Sequence, residues 1–393
     1  MLSGVQSPPT VFSQINSVLH PEAFSRCVQA FPTTREPRGL SEYDHFLALG
    51  FGQLTYRESL RDIVTCLSAR SPKLYHLGFR GHITRTNLAY ANHHRDWRLF
   101  AAVAQVLMRR AARLYQNEPW DPDLPQVAFA LDSSIISLSL NLCPWGYWAR
   151  TGKAALKLHL MLSLQGNVPA WGALTEANLP DMKMLDRIPI LVGAHYIMDR
   201  GYLDFPRLFA LEQADAFFVV RSKHHVRFRV IESRPVDKAT GLRCDQTVGL
   251  TSRWSQAAYP KQLRRIRFYN AQHQITLVLL TNNFELDAWV IAELYRNRWQ
   301  VELFFKWIKQ HLRLRGFYGR SQNAVRCQIW SAICAYLMVA IMRKELGIQK
   351  SLYEILQIVS VNAFEQAPLH ELLTDANPSV QVNDRQKLLI FND

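Results

Sequence analysis

Leucine stands at every second position from Leu156 to Leu164 (LKLHLMLSL), and a sustained period of two is what a strand with one buried face requires. A sheet is therefore unavoidable in this part of the chain. The Gln165-Gly166-Asn167 turn leads into Val168 to Glu176, which predicts a hairpin. Short apolar runs at Val127 to Leu131 (VAFAL), His195 to Met198 (HYIM) and Ala216 to Val220 (AFFVV) read as further strands, with helices predicted over Met182 to Leu191 and Asp204 to Gln213. Three strands, a helix, a strand, a helix and a strand make a mixed α/β sheet.

The flanking regions have a different period. Amphipathic stretches at Glu42 to Leu49, Tyr56 to Leu67, Thr84 to His93 and Asp96 to Tyr115 predict a helical N-terminal region. Arg57, Arg61, Arg70, Lys73, Arg80 and Arg85 fit either a helix-turn-helix DNA reader or a solvated bundle. Asn117 to Pro125 (NEPWDPDLP) carries three prolines and reads as a linker. From Lys223 to Gln274 the chain is irregular, strand-prone and basic, with Arg227, Arg229, Arg234, Arg243, Lys261, Arg264, Arg265 and Arg267, and it reads as an insertion. Ile275 to Leu280 returns as a buried strand, and Leu286 to Leu312 reads as one long helix. The expected divisions are a helical region at 1–120, a DNA-binding domain on the first of those two readings, a core at 121–222, a β-rich basic insertion at 223–274, the second part of the core at 275–345 and a helical C-terminal region at 346–393.

Lys and Arg number 46 against 32 Asp and Glu, a net charge of +14 on a chain of 393 residues. A folded chain of that sign points to a polyanion, either nucleic acid or an acidic membrane surface. The run Ile329 to Met342 is too short for a membrane span, which takes about 20 residues, and reads as a buried helix. Six scattered cysteines without a CxxC pair predict reduced thiols in a cytosol. The N-terminus lacks the basic and apolar regions of a secretory signal.

Familiar sites fail on particular residues. Thr374 replaces the second His of an HExxH motif begun by His370-Glu371, and Ala154 follows Lys153 where a phosphate-binding loop needs Ser or Thr. There is no GxSxG or GxGxxG string. His93-His94 and His224-His225 lack companion ligands and read as surface residues.

Asp132 and Asp199 each follow a short apolar run, at the strand ends where open α/β sheets gather ligands. Taken singly, each reads as a turn or N-cap residue. The long helix adds to this. Advancing about 100° per residue places Tyr295, Arg298, Glu302, Lys306, Lys309 and Arg313 within an arc of roughly 80°. Val301, Leu303, Phe304, Phe305, Trp307, Ile308 and Leu312 take the other side. A charged stripe reads first as a solvated face, but this one is nearly all positive around a single Glu, which suits a phosphate backbone. Three carboxylates drawn together raise one another's pKa, and a divalent metal is their natural neutraliser. Two such ions can stabilise the attacking and leaving oxygens of an in-line displacement.

The string Tyr295-x2-Arg298-x3-Glu302-x6-Lys309, with Asp132 in LDSS and Asp199 in DRGY, resembles the YREK signature of DDE transposases of bacterial insertion sequences, most closely the insertion-sequence-four family. The likeness spans nearly the whole chain. It implies an RNase H-like core in which Asp132, Asp199 and Glu302 hold two Mg²⁺ or Mn²⁺ ions. Water would cut DNA at the terminal inverted repeats of the element, and the freed 3′-OH would attack target DNA. Family hairpin intermediates would use that 3′-OH on the opposite strand of the same end. It further implies that Tyr295, Arg298 and Lys309 hold phosphates, with Lys306 and Arg313 on the same cationic face. A homodimer would form at synapsis, in a bacterial cytoplasm and on the nucleoid. Trp299 and Trp254 read either as stacking platforms for an extruded base or as structural residues. The competing readings are an RNase H-like nuclease without strand transfer and a non-catalytic DNA-binding derivative.

Overall fold

The computed structural model describes residues 8–374 apart from 34–38, 119, 121–125, 142, 149, 272–273, 313 and 315. Most of the predicted linker, Arg313 and the end of the C-terminal region from 375 onward lie outside the described residues.

Six helices precede the sheet: α1 (Val11–Asn16), α2 (Pro21–Ala30), α3 (Glu42–Leu54), α4 (Leu60–Ser68), α5 (Arg85–His94) and α6 (Arg98–Tyr115). The last four follow the amphipathic stretches. Ser41 with Asp44 and Thr84 with Asn87 form capping boxes that fix the starts of α3 and α5.

The strands are β1 (Ala128–Leu138), β2 (Tyr147–Trp148), β3 (Lys153–Ser163), β4 (Val168–Glu176), β5 (His195–Met198), β6 (Phe217–Arg221), β7 (Phe228–Arg234), β8 (Leu242–Leu250), β9 (Leu263–Asn270) and β10 (Ile275–Thr281). They form a single sheet in the order β2-β3-β1-β5-β6-β10-β9-β8-β7, with β4 paired to β3. β1, β3 and β4 run antiparallel, whereas β5 and β6 run parallel to β1. Helix α7 (Phe205–Gln213), N-capped by Asp204, connects β5 to β6. The 223–274 segment adds three antiparallel strands and α8 (Arg253–Ala258), and β10 joins them to β6. This segment therefore continues the same sheet.

Helices α9 (Ala288–Asn297), α10 (Trp299–His311), α11 (Gln322–Glu345), α12 (Leu352–Asn362) and α13 (Leu369–Leu373) complete the described chain. Apolar side chains form two clusters, one on each face of the sheet. Leu156, Leu158, Leu160, Leu162 and Leu164 join the N-terminal helices and α9 to α13 in one cluster, while Phe129, Leu131, Tyr196, Met198, Phe218 and Val220 pack with α7 in the other. The period of two in β3 is the sorting device. Helix α11 is long and apolar enough to cross a membrane, but 94% of its most apolar window is buried inside the fold, against α3, α5 and α6. It is a core helix.

Three elements depart from the sequence expectation. β1 does not end before Asp132; it runs to Leu138, because β3 pairs with it from Phe129 through Leu138. The helix predicted over Met182 to Leu191 is a single 3-10 stretch at Asp181–Asp186 followed by irregular chain; Pro189 has no N–H to give and disfavours helical backbone at Ile188. The helix predicted over Leu286 to Leu312 is two helices that break at Arg298. There the Arg298 N–H bonds the Tyr295 carbonyl and the Val301 N–H bonds the Arg298 carbonyl, each three residues back.

Candidate active site

Strand register brings the two aspartates together. In the parallel pair β1 and β5, Leu131 lies opposite Met198, so the next residues, Asp132 and Asp199, sit side by side. Both continue the alternation that points Ala128, Ala130 and Ile197 to the α9–α10 face. Helices α9 and α10 pack on that face through Ile291, Leu294, Val301, Phe304, Phe305 and Ile308. Leu303, placed on the apolar side of the sequence wheel, is exposed, because two residues make about 200° of helical turn and set it almost opposite the buried Val301 and Phe305 on α10.

Arg298 links the carboxylates. Its Nη1 donates to Asp132 Oδ2 at 3.2 Å and its Nη2 to Glu302 Oε1 at 2.5 Å. The Tyr295 hydroxyl donates to Asp199 Oδ1 at 3.2 Å. Asp132 Oδ1 also accepts from the Ser133 N–H at 2.7 Å. Lys309 Nζ donates to Ser134 Oγ at 2.6 Å, and Ser134 shares the face of Asp132. Lys306 is exposed on α10. The site thus unites Asp132, Asp199, Glu302, Tyr295, Arg298 and Lys309.

Burial dominates the electrostatics. The Asp132 carboxyl, with 22% of its side chain exposed, is pushed up to about 6: burial raises it, Arg298 and the Ser133 N–H pull it back, and Glu302 and Asp199 raise it further. Burial likewise lifts the Tyr295 phenol to about 12, against Arg298, while Asp199 raises it further. Burial lowers the Lys309 ammonium. Burial also acts to lower Arg298, but Tyr295, Glu302 and Asp132 outweigh it, and the guanidinium is held above its ordinary value.

The donor set is of hard oxygens on one wall, the chemistry that Mg²⁺ or Mn²⁺ takes. A buried carboxyl near 6 shows that the local positive charge does not fully compensate it. In this structure the compensation comes from Arg298. Among the described residues no group of three or more His, Cys, Asp or Glu side chains converges tightly enough to hold an ion. Trp254 and Trp299 are 65% and 49% exposed, so neither is a core residue. Trp254 meets Phe205 edge-on, 6.4 Å between ring centres, a few residues beyond Asp199.

Sequence reasoning missed Asp181. It lies behind the sheet, accepts from Ser133 and pairs with Lys157. Its signal is buried in the Pro180-Asp181 step, which reads as an ordinary turn.

A profile described as "Transposase DDE domain" matches residues 123–338, and one described as "Domain of unknown function (DUF4372)" matches 7–80. The chain is 37% identical over 216 residues to "Putative transposase y4zB" of Sinorhizobium fredii, covering 54% of this chain and 59% of that protein. It is 28% identical over 219 residues to "Probable transposase for insertion sequence element IS5377" of Geobacillus stearothermophilus, covering 55% and 56%. The match thus spans less than two thirds of either relative. Among solved structures, a piggyBac transposase synaptic complex with hairpin DNA aligns over 96% of this chain and 86% of that one, at 11% identity and a TM-score of 0.45.

Proposed function

The chain belongs to the family of transposase DDE domains, and from that premise we propose that it cuts DNA at the ends of a mobile element and transfers the freed 3′-OH ends into target DNA. The observation that carries this reading is the meeting of Asp132 and Asp199 on neighbouring parallel strands, opposite Glu302 on α10. The strand order β4-β3-β1-β5-β6, three antiparallel and two parallel, supports an RNase H-like core.

Asp132, Asp199 and Glu302 would hold two Mg²⁺ or Mn²⁺ ions, which when bound supply Lewis acidity and an activated water. The protein's own residues do the rest. Tyr295 orients Asp199 through its hydroxyl, and Arg298 bridges Asp132 and Glu302 and offsets their mutual repulsion by pairing with both. An arriving phosphate offers Arg298 and Lys309 a competing anion, so both are placed to position the backbone beside the cut. Lys306 extends that cationic face along α10. The exposed Trp254 supplies a platform on which an unpaired base stacks. The N-terminal helices, with Arg61, Arg70, Arg80 and Arg85 exposed, would hold DNA away from the site. Synapsis of two ends would require a homodimer.

The test uses duplex DNA carrying the sequences that flank the coding region. Wild type should cut it only with Mg²⁺ or Mn²⁺ and should yield a joined strand-transfer product. Glu302→Gln should bind the same DNA and lose cleavage; full cleavage by that variant would remove Glu302 from the catalytic set. Cleavage without joining would indicate a nuclease, and binding without cleavage a non-catalytic derivative.

A further inference from the structure

The face of β1 opposite the candidate site holds a second polar cluster. Asp132 points toward α9 and α10, so Ser133 points the other way. Its Oγ donates to Asp181 Oδ1 at 2.7 Å. Lys157 Nζ donates to the same oxygen at 3.1 Å and to the Leu179 carbonyl at 2.8 Å. Next to Lys157 on the same face of β3, His159 is buried, with Nε2 bonded to Thr175 Oγ1 at 2.8 Å, and burial lowers its pKa to about 4. His159 is therefore neutral at physiological pH, and Lys157 is the cation that compensates Asp181.

The 3-10 turn that begins at Asp181 (Asp181–Asp186) packs on the one that follows Asp199 (Arg200–Tyr202). A Cβ added at Gly201, two residues beyond Asp199, would meet Asp181 Oδ2 at 3.4 Å, so this position faces the carboxylate across a space that glycine leaves open. Tyr202 is buried beside them, 2% exposed. Ser133 closes the chain of contacts, because its N–H holds Asp132 Oδ1 while its hydroxyl is held by Asp181. A further carboxylate behind a site that already holds three needs its own cation, which Lys157 supplies. An apolar side chain would fill the space without that cost. What the carboxylate adds is an acceptor that reaches the Ser133 hydroxyl.

We propose that Asp181 is a positioning residue for the cleavage reaction: through Ser133 it fixes Asp132, and through the packing of its own turn on Arg200–Tyr202 it braces Asp199, from behind the sheet and without touching DNA. The proposal rests on the transposase reading given above. A misplacement of about 1 Å at a reacting centre costs on the order of 100-fold in rate, so a brace shared by two of the three carboxylates acts on turnover.

The experiment compares full-length wild type, Asp181→Ala, Asp181→Asn, Ser133→Ala and the Ser133→Ala/Asp181→Ala double variant. Turnover with Mg²⁺ and affinity for the flanking-sequence duplex are measured, together with amide hydrogen exchange in peptides covering 131–134 and 199–203. Asp181→Ala should lower turnover by about tenfold to 100-fold while DNA affinity stays within about twofold. Asp181→Asn keeps an acceptor oxygen for Ser133 and should recover most of that loss. The double variant should be no slower than the slower single variant, because both changes cut one relay. Exchange should rise in both peptides of Asp181→Ala. Additive losses in the double variant, unchanged turnover in Asp181→Ala, or a loss that appears wholly as DNA affinity would each overturn the brace. If wild type does not cleave DNA at all, the transposase reading fails separately. Exchange then decides the brace alone: a rise in both peptides supports it and unchanged exchange overturns it.

Discussion

Arg298 is asked to do two things that compete. In this structure it satisfies Asp132 and Glu302 together, and under the proposed function it also meets a phosphate. One guanidinium does not cancel the effect of burial on Asp132, whose carboxyl is held up near 6. Other buried groups answer burial by shedding charge instead. His45 in α3 is wholly buried, with Nε2 2.7 Å from Asn92 Oδ1 and its ring edge-on to Phe100, and burial, assisted by Arg95, lowers its pKa to about 3 against the hydrogen bond to Asn92. Its folded pKa lies below the unfolded value near 6.5, so the stability it contributes is complete above pH 6.5 and is lost as the pH falls toward 3. Between pH 7 and pH 5 the loss amounts to about 2 kcal/mol. His45→Gln, which retains a donor for Asn92, should flatten that part of the pH–stability curve by a comparable amount in urea titrations. An unchanged slope would mean that His45 is not the titrating group.

At the scale of elements, what the sequence makes legible is whatever has a period. The leucines of β3, the Gly166 hairpin and the run before Asp199 appear where the spacing predicts them. The second half of β1 has no such pattern, because its Ser133, Ser134 and Ile135 are half-buried and its strand state comes from pairing with β3. The break at Arg298 is equally silent, since no Gly or Pro marks it. Asp181 is silent for a third reason: its partners on β1 and β3 are distant in sequence and are brought together only by strand register. The one-residue alternation then assigns Asp132 and Ser133 to opposite faces, separating chemistry from support. Helix α11 ties these elements to the N-terminal helices. Trp330 at its centre is 1% exposed and lies 3.5 Å from where a Cβ on Gly172 of β4 would stand. Trp330→Ala should cost about 3–5 kcal/mol, and circular dichroism melts should show the helices and the sheet unfolding in one shifted transition. Two transitions, with only one of them shifted, would show that the N-terminal helices fold as an independent unit.

For the whole molecule, the charge of +14 acquires a location. Lys306 and Lys309 lie along α10, the 223–274 segment presents Arg227, Arg229 and Arg243 around β7 and β8, and the N-terminal helical region exposes Arg61, Arg70, Arg80 and Arg85. Part of the formal excess is not available to a polyanion. Arg264 is buried in a two-pronged pair with Asp245, Arg110 is spent on Glu345 and Arg207 on Asp186. Under the proposed function the surface that meets DNA is the unpaired remainder, and its size is measurable. Each phosphate neutralised releases condensed counterions, so the logarithm of the binding constant should fall linearly with the logarithm of salt concentration. A footprint of about six phosphates predicts a loss on the order of 1,000-fold between 50 and 200 mM salt, read by fluorescence anisotropy on a labelled duplex. Replacing Lys306 with Ala should lower the slope by about one phosphate if α10 lies against the backbone. A slope that does not change would take α10 out of the footprint and leave the insertion and the N-terminal helices to carry the charge.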